Sequence, residues 1–189
     1  MLELDEVRRL LNACAPEVRP IVEAGLMTGA RYGEITRFCV GDFDADQKAL
    51  RIRQTKTGKT LYQPLTPEGV EFFEGHVAGR SLKELIFTRD NGEPWAKSHQ
   101  SRPVKEAAQK ACLDKVSFKV TRATYGKLLL LATQDIELVA KALGHTDSRV
   151  TRKHYAQYLP NEIAQAVQKL PTVGVEIFNV RSLKVATYI

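Results

Sequence analysis

Between residues 49 and 64 the apolar pattern of this chain switches from helical spacing to strict alternation and then back. Residues 49–54 (ALRIRQ) alternate Leu50 and Ile52 with Arg51 and Arg53, and residues 60–64 (TLYQP) read as a second strand. The polar run Thr55-Lys56-Thr57-Gly58-Lys59 between them is a glycine-containing hairpin turn. A short sheet of this kind, somewhere within 42–65, cannot bury its apolar face alone and must pack on helices. The expected class is therefore α+β, mostly helical, with one small antiparallel sheet against a helical bundle.

The flanking segments supply the helices. Leu4, Val7, Leu10 and Leu11 fall at helical spacing. A second helix is expected to open near Pro16-Glu17, run through Ile21, Ala24 and Leu26, and stop at Gly29; a third, short one covers 31–38. Thr66 reads as an N-cap with Pro67 at the first helical position, and Val70, Phe72 and Phe73 form an apolar side. Leu85-Ile86-Phe87 reads as a buried strand or turn. Further helices are expected over 98–111, 121–131, 135–143 (ended by Gly144), 149–158 and 161–170.

The chain has 189 residues, 28 basic against 22 acidic, a formal charge of +6. It is long enough for one domain with a tail. No apolar run approaches the ~20 residues of a membrane helix, and the N-terminus has no signal-peptide stretch, so an intracellular, cytoplasmic location is expected. Three widely separated cysteines, Cys14, Cys39 and Cys112, argue against a disulfide framework and for a reducing compartment. The basic charge is blocked. Residues 97–127 hold eight basic residues against two acidic, and residues 51–61 hold four against none. Such blocks read as a phosphate-binding surface.

Taken singly, Arg31, Lys56, His145 and Tyr155 are ordinary residues, and His76, His99 and His154 read as structural histidines. Their order says more. The segments GLMTGARYGEI (25–35), TKTGK (55–59), KVTRATY (119–125) and ALGHTDSRVTRKHYAQY (142–158) resemble the catalytic boxes of the tyrosine recombinase, or phage integrase, family. The resemblance runs from about residue 2 to residue 170. It implies that family's catalytic-domain fold, with Arg31, Lys56, Lys119, Arg122 and His145 assisting Tyr155 as nucleophile. Two positions depart from the common pattern: the third catalytic residue is Lys119 where histidine is most frequent, and Ala123 follows the second arginine in place of histidine.

The residue types suit that chemistry. Two guanidiniums can fork onto the non-bridging oxygens of a phosphodiester and stabilise the charge gathered in the transition state. A tyrosine phenol is neutral at neutral pH and needs positive potential or a base to attack. His145 or Lys119 can supply that potential, and Lys56, on its turn, is the candidate acid for the leaving 5′-oxygen. A phosphotyrosine conserves the energy of the broken bond, so neither ATP nor a metal is expected; no phosphate-binding glycine loop and no metal-ligand spacing is present.

The resemblance also implies partners: double-stranded DNA, self-association on DNA up to a synaptic tetramer, and accessory DNA-bending or directionality factors. Outside the catalytic set, Arg51, Arg53, Lys59, Lys97, Arg102, Lys127 and Arg152 are the expected DNA contacts. Residues 1–171 are expected to form the catalytic domain. Members of the family usually carry a DNA-clamping domain ahead of it, so the chain is expected to be a fragment or a minimal member. In the tail, 172–189, Val173, Val175 and Ile177 alternate with Gly174 and Glu176, which reads as a strand docking in cis or in trans. Two rival functions share these residues: a type IB topoisomerase, separable by junction resolution, and a DNA-binding regulator without catalysis, separable by covalent trapping.

Overall fold

The structure, a computed structural model, describes residues 1–54, 58–114, 116–145 and 147–158. Its helices are α1 (Leu4–Ala13), α2 (Arg19–Thr28), α3 (Tyr32–Ile35), α4 (Pro67–Val77), α5 (Ser101–Lys110), α6 (Lys119–Thr133), α7 (Ile136–Ala142) and α8 (Ser148–Tyr155). Strands β1 (Phe43–Asp44), β2 (Ala49–Arg53) and β3 (Thr60–Pro64) form one antiparallel sheet in the order β1-β2-β3. The class is the expected one, mostly helical with a small antiparallel sheet. The expected helix over 161–170 and the tail strand lie outside the described residues.

The alternation of β2 does what its period demands. Leu50 and Ile52 are buried, opposite Gln63 and Leu61 of β3, while Arg51 and Arg53 stand on the other face. Those arginines converge on Asp42, whose carboxylate is buried and accepts from both at 3.0 and 2.8 Å. One apolar core joins α1, α2, the sheet, α4 and α5, with Phe73 stacked on Phe43 at 5.9 Å between ring centres. A second, smaller core joins α6, α7 and α8 through Leu130, Ile136, Val139, Leu143 and Tyr155.

Local signals explain most boundaries. Gly29 stops α2 in the left-handed conformation (φ 65°), and Thr66 caps α4 by accepting the Gly69 N–H at 3.2 Å. Several boundaries differ from expectation, α6 and α8 among them by up to three residues at an end. Helix α2 opens at Arg19, with Pro20 rather than Pro16 in its first turn. The segment 31–38 yields only the single turn of α3, which starts after Arg31, its extended cap, and ends at Ile35. Helix α5 starts at Ser101, since Ser98 adopts a positive φ of 74°. Residues 85–87 contribute one bridge, Leu85 to Cys39, and bury Ile86 and Phe87. No helix among the described residues is long and apolar enough to cross a membrane.

Candidate active site

Four elements deliver side chains to one cleft of about 820 Å³. Arg31, Lys119, Arg122, His145 and Tyr155 all line it. Lys56 lies outside the described residues. The hairpin that carries it in sequence is closed by Gln54 N–H donating to the Lys59 carbonyl and Gly58 N–H donating to the Gln54 carbonyl, at 2.8 and 2.9 Å.

Arg31 caps α3 and is held by Glu34, three residues on. One Glu34 oxygen accepts the Arg31 backbone N–H and the other its guanidinium, both at 2.8 Å. Glu34 is itself buried, so it sets Arg31 from the protein side and leaves the rest of the guanidinium at the cleft. The glutamate of the T-G-x-R-x-x-E box is therefore a positioning carboxylate, a role that sequence reading left blank.

Arg122 sits one turn into α6, and its fork is spread over two backbone segments. Nη1 donates to the Gly29 carbonyl at 2.7 Å; Nη2 donates to the Leu143 carbonyl and to His145 Nε2, the latter at 3.1 Å. Burial, followed by the charge of Arg31, pushes its pKa down to about 10, which leaves it cationic at neutral pH. Glu34 acts in the opposite direction and raises it. His145 follows Gly144, whose positive φ (62°) turns the chain out of α7. A Cβ at Gly144 would fall 1.9 Å from Gln54 Nε2, so the Gln54 amide occupies that space and packs β2 against this turn.

The ring of His145 is fixed on both sides. An arginine can only donate, so Nε2 accepts from Arg122 and the imidazole proton resides on Nδ1. Nδ1–H then donates to Thr151 Oγ1 at 2.7 Å. The imidazole is neutral: burial first, then the charges of Arg122, Arg31 and His154, push its pKa down to about 4. In the unfolded chain a histidine titrates near ~6.5. Between those values the unfolded state binds the extra proton, so this group's contribution to stability is full above ~6.5 and is lost as pH falls towards ~4. His145→Gln is expected to shrink the loss of unfolding free energy between about pH 7 and about pH 5 by ~1 kcal/mol, discounted for partial exposure. Denaturant titrations of the DNA-free protein at both pH values check this.

Tyr155 ends α8 with its ring in the second core. Burial raises its phenol pKa, and the Arg122 charge opposes the rise. A Cβ at Gly126 of α6 would lie 2.5 Å from the Tyr155 hydroxyl, so a glycine in mid-helix gives the phenol its seat. Lys119, the first residue of α6, is exposed at the cleft. Lys105, not singled out from the sequence, and His154, read there as a structural histidine, line the same cleft.

Lys127 corrects the expected set of DNA contacts. It lies on the buried stripe Thr121–Thr124–Lys127–Leu130 of α6, is 5% exposed, pairs with Glu3, and sits 5.2 Å from the centre of the Tyr158 ring. Its charge is turned inward. The other expected contacts lie at the surface: Lys59 and Lys97 are exposed, Arg102 and Arg152 are exposed and paired with Glu106 and Glu137, and Arg51 and Arg53 share Asp42. No group of three or more potential metal ligands occurs among the described residues.

The chain is thus a helical bundle with a three-stranded sheet, in which two arginines, a lysine, a histidine and a tyrosine line one cleft. The Phage integrase family model matches residues 1–162, and the chain belongs to that family. It is 26% identical over 152 residues to the tyrosine recombinase XerA of Saccharolobus solfataricus, covering 79% of this chain and 50% of that protein. The chain thus spans about half the length of that curated relative. Among solved structures, the fold is similar to XerA recombinase (TM-score 0.71, 22% identity, 90% of this chain and 65% of that one). The catalytic domain of bacteriophage HP1 integrase gives 0.67 at 21% identity, covering 92% of this chain and 96% of that one. A lambda integrase dimer bound to a core site gives 0.67 at 19%, covering 93% and 62%.

Proposed function

We propose that the chain is the catalytic domain of a site-specific DNA recombinase that cleaves and rejoins strands through a 3′-phosphotyrosine on Tyr155. The observation that carries this reading is the convergence of Arg31, Lys119, Arg122, His145 and Tyr155 on one cleft. The Tyr155 oxygen attacks phosphorus as its phenol proton passes to solvent in the cleft, the bond to the 5′-oxygen breaks, and that oxygen leaves with a proton from Lys56. A 5′-hydroxyl from another strand reverses the step. Arg31 and Arg122 supply the positive charge that the crowded phosphate needs, so the reaction proceeds without metal or ATP. Duplex DNA is the substrate in this reading, which is supported by two proteins of similar fold, a XerH site-specific recombinase bound to a palindromic difH substrate and lambda integrase bound to a core site. Self-association into a tetramer on DNA, accessory bending or directionality factors and action inside the cell complete the reading. The assay is covalent trapping on a nicked suicide duplex carrying the cognate site. Absence of a protein–DNA adduct there would leave a DNA-binding regulator.

The role of Lys56 has its own test. A 5′-bridging sulfur departs without protonation, so Lys56→Ala should cleave the sulfur substrate at nearly the wild-type rate while remaining slow on ordinary DNA, by about 10²–10⁴-fold. Equal rescue of an Arg122 variant by the same substrate would remove Lys56 from this role.

A further inference from the structure

Thr151 lies within the segment 142–158 without a role assigned to it there, yet it is among the most completely buried polar residues described, with 0% exposure. It lies four residues before Tyr155 on α8, so both project from one face of that helix. Its hydroxyl is the partner of His145 Nδ1 at 2.7 Å. The other ring nitrogen is committed to Arg122, which in turn grips the Leu143 carbonyl of the same turn and the Gly29 carbonyl beside Arg31. A hydroxyl can donate or accept, but a neutral imidazole cannot accept at both nitrogens. With Arg122 donating to Nε2, the bond to Thr151 can only run from Nδ1–H to Oγ1.

We propose that Thr151 is a positioning residue of the cleft, which holds the Nδ1 proton of His145 and thereby presents Nε2 to Arg122 and to the scissile phosphate. When a phosphate draws the Arg122 guanidinium away, the Thr151 oxygen remains the partner that keeps the ring in this tautomer and orientation. The same bond ties the turn after α7 to the helix that carries Tyr155, so His145 and the nucleophile keep a common register. The catalytic consequence rests on the reading of the cleft given above; the tautomer does not.

The test pairs two readouts on Thr151→Val, which removes the hydroxyl at nearly constant volume, and Thr151→Ser, which keeps it. Long-range ¹H–¹⁵N spectra of the DNA-free protein, recorded in an Arg122→Ala background so that the guanidinium no longer fixes Nε2 as an acceptor, report which nitrogen of His145 carries the proton. Adduct formation on the nicked duplex, at matched DNA occupancy, reports the chemistry. Wild type and Thr151→Ser should show Nδ1–H and similar cleavage. With Arg122 replaced, Thr151→Val should shift proton density to Nε2; with Arg122 in place it should cleave slower by about 10–100-fold, the range found when the hydrogen-bond partner that orients a metal-bound histidine is removed. If valine weakens the fold in thermal melts, Thr151→Ala removes the same hydroxyl and is read the same way. An unchanged tautomer without the hydroxyl, an unchanged rate despite a changed tautomer, or a serine variant as impaired as valine overturns the proposal. Failure of the wild type to form any adduct counts instead against the recombinase reading, because the tautomer is measured without DNA.

Discussion

Tyr155→Phe is expected to abolish the covalent adduct on a nicked suicide duplex while leaving DNA affinity unchanged. The loss should be on the order of 10⁵-fold or more, the scale seen when a covalent nucleophile is removed. Phenylalanine keeps the ring among Leu130, Ile136, Val139 and Leu143, so thermal stability should hold. The hydroxyl it removes rests over Gly126, a position with no side chain to fill the gap. At neutral pH the phenol carries its proton, because burial raises its pKa against the pull of Arg122. The proton must therefore leave as the oxygen attacks, which couples the nucleophile to the charges around it. Gel retardation and denaturing electrophoresis separate binding from adduct. An adduct that survives in the variant would move the nucleophile to Tyr158, three residues on, whose ring lies beside the Lys127 ammonium.

The parts of this architecture set by short-range physics could be read from residues alone. Alternation placed Leu50 and Ile52 inward, Gly29 ended a helix that needed a left-handed residue, and Thr66 supplied a cap. The catalytic boxes gave the residues that meet in the cleft, because their spacing is a property of the chain. The misreadings came from partners far away in sequence. Lys127 counted as one more surface charge within a basic block, yet its carboxylate partner is Glu3, 124 residues earlier. The buried stripe Thr121, Thr124, Leu130 held the clue, since Lys127 continues that spacing. Arg51 and Arg53 gave no sign that Asp42 would take up both. Glu34 stood in plain view inside a box whose arginine drew the attention, and only the paired 2.8 Å contacts reveal its work. Thr151 carries no chemistry of its own, and its place becomes visible only when His145 must find an acceptor for one proton.

Arg122→Ala should combine a large loss of cleavage with a measurable loss of stability, because this guanidinium serves two ends. In the proposed reaction it is one of two donors aimed at the phosphate oxygens, and removal of one such donor costs about 10²–10³-fold in the chemical step. On the protein side it satisfies the carbonyls of Gly29 and Leu143 and the Nε2 of His145. Alanine leaves these acceptors without their donor, a cost of ~1–3 kcal/mol for a buried group, so the melting temperature should fall. Arg122→Lys should restore part of the charge but little of the rate, since one compact ammonium cannot span two carbonyls, a ring nitrogen and a phosphate. Burial and the neighbouring Arg31 charge already weigh against the cation here, shown by its lowered pKa. An incoming phosphate neutralises that unfavourable pairing, so DNA binding should raise the melting temperature of the wild type more than that of either variant. Single-turnover cleavage at saturating DNA, with melts in the presence and absence of duplex, measures all three effects. A rate for Arg122→Ala within about threefold of wild type, less than ~1 kcal/mol of barrier, would take Arg122 out of the chemistry and leave it as a brace between α6, Gly29 and the turn that carries His145.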